Sequence, residues 1–113
     1  MHELSIVMGI INIAKAEVKK ANLKKVDEIE LDVGTLAGIE FEALDFAWQM
    51  AVQDTVLATA KRKINKIDAK AKCISCEHIF STKSVFDQCP KCNEIFSEIL
   101  SGKELKVKTL IAS

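Results

Sequence analysis

The sequence predicts an α+β fold: a small three-stranded sheet with two helices on one face, plus an inserted zinc-ribbon-like domain with four cysteine ligands. Three observations carry this. Apolar residues recur at helical spacing in two stretches, three further stretches show strand patterning, and two C-x-x-C pairs stand before the last strand. The 113 residues suit one ordinary domain, or a smaller one carrying an insert too short to build its own core. The cysteines favour the second arrangement.

From Leu4 to Ala21, the residues Leu4, Val7, Met8, Ile11, Ala14, Val18 and Ala21 fall on one helical row, and Lys15, Lys19 and Lys20 lie toward the C-terminal end, where cations suit the helix dipole. A second row at Ile6, Ile10 and Ile13 widens the apolar face, as in a helix packed on two sides or one with a partner-binding face. Ile29, Leu31 and Val33 alternate with Glu28, Glu30 and Asp32, which predicts a half-buried strand that Gly34 and Gly38 end. Phe41, Leu44, Trp48, Ala51, Val52 and Thr55 then predict a second helix between Ile39 and Val56, with the single Trp in the core. Lys61 to Lys72 reads as a second strand, and Glu104 to Ile111, after a Ser101-Gly102 turn, as a third. The expected domains are therefore residues 1–70 with 101–113, and an insert at 71–100.

Composition narrows the function. Sixteen Lys+Arg balance sixteen Asp+Glu, so no net charge draws the chain to phosphate backbones or anionic lipid. No aromatic-basic cluster marks a nucleic-acid surface, and no stretch approaches the ~20 apolar residues of a membrane span. Leu4 to Ala14 resembles the hydrophobic part of a signal peptide, but Glu3 stands where cations belong and no small-residue cleavage site follows. The expected location is the cytoplasm, where paired cysteines act as metal ligands more readily than as disulfides.

Cys73-Ile74-Ser75-Cys76 and Cys89-Pro90-Lys91-Cys92 are separated by twelve residues. Two intervening residues let both thiolates of a turn face one ion, and two such turns complete a tetrahedral all-sulfur set with no position left for water. That predicts structural zinc, with rubredoxin-like iron or a redox dithiol as the rival readings. The insert's apolar residues, chiefly Ile79, Phe80, Val85, Phe86, Ile95 and Phe96, are too few for a core, so the ion must help it fold. His78 follows the first pair and reads as a loop histidine or an alternative ligand.

His2 is too large for removal of the initiator methionine, so Met1 should keep a free α-amine beside it. The amine, the His2 backbone nitrogen and the imidazole can close consecutive chelate rings in one plane, a geometry suited to Ni(II) or Cu(II) rather than zinc. Glu3 could add its backbone nitrogen or its carboxylate.

Met1-His2-Glu3-Leu4-Ser5 running into a helix, the strand end Leu31-Asp32-Val33-Gly34-Thr35-Leu36, the helix carrying Phe46-Ala47-Trp48 and the late cysteine pairs together resemble the HypA/HybF family of hydrogenase nickel-incorporation factors. The resemblance spans the whole chain. It implies a nickel site at Met1, His2 and Glu3, and zinc on Cys73, Cys76, Cys89 and Cys92. It also implies delivery of Ni(II), together with a HypB-type GTPase, to the large subunit of [NiFe]-hydrogenase, and in some organisms toward urease. Ala71 stands where the family often has proline, and Glu77 where glycine is common. Zinc in this reading is a resident structural ion, nickel is cargo, and the chain is not an enzyme: it shows no nucleophile-base arrangement and no phosphate-binding glycine loop. The competing readings are a zinc-ribbon module that binds protein or nucleic acid without carrying nickel, and a dithiol oxidoreductase. The broad apolar face of the first helix suits a homodimer or a monomer with transient partners.

Overall fold

The computed structural model describes residues 3–113, so Met1 and His2, two of the three expected nickel ligands, lie outside the described residues. The elements are α1 (Glu3–Lys20), β1 (Val26–Gly34), α2 (Phe41–Ala51), β2 (Lys61–Ile67), β3 (Lys70–Cys73), β4 (Ile79–Ser81), β5 (Ser97–Ser101) and β6 (Leu105–Ala112). They form two three-stranded sheets, ordered β2-β1-β6 and β4-β3-β5. The chain divides into two compact units, one holding the residues up to Leu31, Ile39–Asn65 and Lys106–Ser113, the other Asp32–Gly38 and Lys66–Leu105.

In the first unit α1 packs against α2. The buried stripe of α1 is Val7, Ile10, Ile11, Ala14 and Val18, together with Glu3. Leu4 and Met8, expected on that stripe, are instead 57% and 47% exposed, and Ile13 of the second row is half exposed. The physical reason is that the stripe is centred on Val7, Ala14 and Val18, and Leu4 and Met8 lie beyond one margin of it. Asn22 ends the helix in the left-handed conformation at φ 58°. This turn lets the Leu23 N–H reach the Val18 carbonyl at 2.9 Å, a Schellman-type closure.

The second helix stops earlier than the apolar pattern suggests. Past Ala51 the chain turns: the Thr55 hydroxyl donates to the Val52 carbonyl and accepts from the Leu57 N–H, which carries Leu57 into the core. Trp48 is buried, as expected. Arg62 of β2 stacks over its ring at 5.3 Å and pairs with Asp45, so α2 lies against one side of that strand.

The stretch from Lys61 to Lys72 is not one strand but two, in different sheets. Its pattern holds to Ile67, after which Ala69 is buried and its carbonyl accepts from Thr82. In the second unit, β3 pairs antiparallel with both β4 and β5, and its register to β5 shifts between Lys70 and Ala71. Gly102, at φ 109°, sits so close to Ala69 and Gly34 that side chains are excluded there: a Cβ on Gly34 would stand 2.0 Å from the Gly102 carbonyl oxygen. No helix among the described residues is long and apolar enough to cross a membrane.

Candidate metal centre

The cysteine centre is built from two matching turns. In the first, the Cys73 N–H donates to the His78 carbonyl at 2.9 Å and the Glu77 N–H returns to the Cys73 carbonyl at 3.0 Å. In the second, the Cys89 N–H donates to the Glu94 carbonyl at 2.9 Å and the Asn93 N–H returns to the Cys89 carbonyl at 2.8 Å. Each turn is possible only because the residue after its second cysteine is left-handed, Glu77 at φ 61° and Asn93 at φ 63°. This backbone pattern aims both sulfurs of a pair at one point.

The four Sγ atoms lie within 4.8 Å of one another. Cys73 and Cys92 approach to 3.4 Å, and Cys76 and Cys89 to 3.7 Å. A tetrahedral zinc with bonds near 2.3 Å requires sulfurs roughly 3.8 Å apart, so the set is close to the size that ion demands. Cys73 and Cys89 are buried among Ala71 and Phe80, with Cys76 and Ile99 packed on them. Beyond Phe80 the insert has little apolar interior: Ile74, Ile79, Phe86, Ile95 and Phe96 are all exposed. Cys73 and Cys89 are thus themselves part of this small core, while Cys92 stands at its exposed edge.

Cys73 and Cys92, 3.4 Å apart, are driven in opposite directions. The Cys76 N–H, pointed at its sulfur, does most to hold the Cys73 thiol down to about 7. For Cys92 the largest single influence, the Glu94 N–H, is downward, yet the neighbouring sulfurs and burial outweigh it and push the thiol up to about 12. One thiolate forms readily and the last only with a cation present. The His78 ring stacks on Phe80 at 6.3 Å, and it is the carbonyl of this residue that serves the first turn. The metal-ligating group found among the described residues consists of the four cysteines.

At the other expected site only Glu3 is described. It is 6% exposed, and its Oε2 accepts from the Glu40 N–H at 3.2 Å. That bond first, and the residue's own N–H second, hold its carboxyl below the usual glutamate value. Sequence reasoning missed Glu40. The signal was present, because Glu3 shares the helical row of Val7, Ile10 and Ala14, and an acid on a buried row needs a partner.

The fold and the tetrathiolate centre define a class: small α+β proteins with a closed, structural type of metal site. The comparisons are more specific. A profile of the family described as "Hydrogenase/urease nickel incorporation, metallochaperone, hypA" matches residues 1–112. A "Hydrogenase maturation factor HypA" of Francisella philomiragia is 39% identical over 111 residues, covering 98% of each chain. Its counterpart in Parabacteroides distasonis is 35% identical over 111 residues, covering 98% of this chain and 96% of the relative. The chain belongs to the HypA family of nickel metallochaperones for hydrogenase maturation. Two solution structures share the fold. The Ni metallochaperone HypA from Helicobacter pylori aligns with a TM-score of 0.69 at 22% identity, covering 99% of this chain and 97% of that one. A second HypA protein aligns with a TM-score of 0.72, also at 22% identity, covering 100% of this chain and 97% of that one.

Proposed function

We propose that this chain carries Ni(II) on Met1, His2 and Glu3 and delivers it for maturation of [NiFe]-hydrogenase, while zinc on Cys73, Cys76, Cys89 and Cys92 holds the inserted domain in shape. The observation that carries the reading is Met1-His2-Glu3 at the head of α1, in a chain that the family matches from its first residue. The α-amine, the imidazole and backbone nitrogens supply a planar donor set suited to Ni(II). Few protein ligands suit an ion that must later be surrendered. The two metals have different jobs, the closed site structural and the terminal site transient.

In this reading residues 1–70 with 101–113 form the nickel-binding part and 71–100 the zinc part. The partners are a HypB-type GTPase and the hydrogenase large subunit, the location is the cytoplasm, and the chain does no catalysis of its own. Exposed Ile74, Phe86 and Phe96 support protein docking by the zinc part, and they equally suit the alternative of an interaction module without cargo. Calorimetric titration of untagged, zinc-loaded protein with Ni(II) separates the two. The expected result is one nickel site lost in His2→Ala with zinc retained; unchanged nickel binding in that variant overturns the assignment.

A further inference from the structure

We infer that the Glu3 side chain is a positioning group for the nickel site: it clamps the head of α1 to the head of α2 and leaves ligation to other atoms. The inference rests on the amino-terminal nickel reading.

Its basis is the cap of α2. Glu40 is the N-cap residue, in extended conformation at φ −86° and ψ 113°, and its own carboxylate accepts from the Glu42 N–H. In a capping box the residue three positions on, a Glu or Gln, would reach back to the N-cap N–H. Here that position is Ala43, which has no acceptor. Glu3, thirty-seven residues away, supplies the missing oxygen from the neighbouring helix. The carboxylate also stands at the positive end of α2, where an anion is stabilised.

A buried carboxylate committed to the Glu40 N–H has one oxygen fewer to offer an ion. Its Oε2 is held by the Glu40 N–H, and ligation that drew this oxygen away would leave that donor without its partner. What the bond does instead is fix the first turn of α1, which has no intrahelical acceptors for its own N–H groups and would otherwise fray. The Glu3 backbone, from which the proposed nickel ligands continue in sequence, is thereby held, and ligands attached to a fixed point lose less freedom on binding.

The test is nickel titration of untagged, zinc-loaded protein, with the d–d absorption spectrum as a second readout, for Glu3→Gln, Glu3→Ala, Glu40→Ala and Glu40→Pro. Glutamine keeps an oxygen acceptor, so Glu3→Gln should bind within about threefold of the parent, whereas Glu3→Ala should lose about tenfold, the scale of one hydrogen bond. Band positions should not move in either. Glu40→Ala keeps the N–H and should bind as the parent does. Glu40→Pro removes that donor at a φ close to the proline range, and should match Glu3→Ala, with the double variant no weaker than either single one. Ligation by the carboxylate predicts the reverse: shifted bands and lost affinity in Glu3→Gln, and parent-like binding in Glu40→Pro. That outcome overturns the clamp. If the parent protein takes up no nickel, the terminal-site reading falls, and the clamp is judged by hydrogen exchange of the Glu40 amide. Faster exchange in Glu3→Ala than in Glu3→Gln supports it, and equal exchange refutes it.

Discussion

Glu77 and Asn93 hold the same left-handed backbone conformation, each one residue past the second cysteine of its pair and each returning its N–H to the first cysteine's carbonyl. The two halves of the metal centre are therefore equivalent in backbone and unequal in sequence. Asparagine tolerates this region; glutamate does so at a cost. Glu77→Gly should raise the stability of the zinc-loaded protein by about 1 kcal/mol, and Asn93→Gly by less. Urea unfolding at fixed zinc measures both, and an equal response at the two positions would contradict the strain argument.

Zinc binding should depend steeply on pH. Ligation requires four thiolates, and in the metal-free centre the Cys73 thiol is held down to about 7 while Cys92 is pushed up to about 12. Below the Cys73 value the ion must displace the protons of both Cys73 and Cys92, so apparent affinity should fall by at least about two decades per pH unit as the solution is acidified. Competition against a chromophoric chelator between pH 5.5 and 7.5 checks the slope. Removing the zinc at neutral pH should unfold β3, β4 and β5 while the helical circular dichroism of α1 and α2 persists.

Gly34→Ala should be among the most damaging single changes outside the metal ligands. The added methyl would meet backbone, the Gly102 carbonyl, and not the movable end of a side chain. Strain of this kind costs about 3 kcal/mol or more, enough to lower the melting temperature by well over ten degrees in a protein of this size. Gly9→Ala is the control, since nothing stands within 4 Å of its added Cβ.

Glu30 should contribute to acid sensitivity. The Asn65 amide first, then the Thr109 hydroxyl and the charges of Lys108 and Lys63, hold its carboxyl below 4.5. A carboxyl lowered on folding adds stability that is complete above its unfolded value and is lost as pH falls through the folded one. Glu30→Gln should therefore be less stable at pH 7 and show a shallower loss between pH 5 and 3. Urea midpoints across that range decide it; a parallel pair of curves would exclude the effect.

Periodicity located α1, β1, α2 and β6 because each buries one regular face, and a face of fixed period is written in the order of the residues. It misjudged what depends on neighbours. Leu4 and Met8 continue an apolar row yet lie exposed, because the row that packs is chosen by the helix opposite. The break at Asp68-Ala69 was hidden by a weak alternation that runs straight through it, since the reason for the break is the contact between Ala69 and the distant Gly102. Of the second unit, the cysteine cluster was readable from spacing, but its three-stranded sheet was not, because strands as short as Ile79–Ser81 carry too few residues to show a period.

By itself the sequence determined the chemistry on offer: four thiolates in two spaced pairs, a Met-His-Glu terminus, and two amphipathic helices, all of them local patterns whose physical basis lies within a few neighbouring residues. Tertiary structure alone decided that the sulfurs converge to one centre and that the carboxylate of Glu3 caps a helix thirty-seven residues away. Those outcomes depend on long-range packing and on the demand that every buried polar group find a partner, and neither is expressed in the order of adjacent residues.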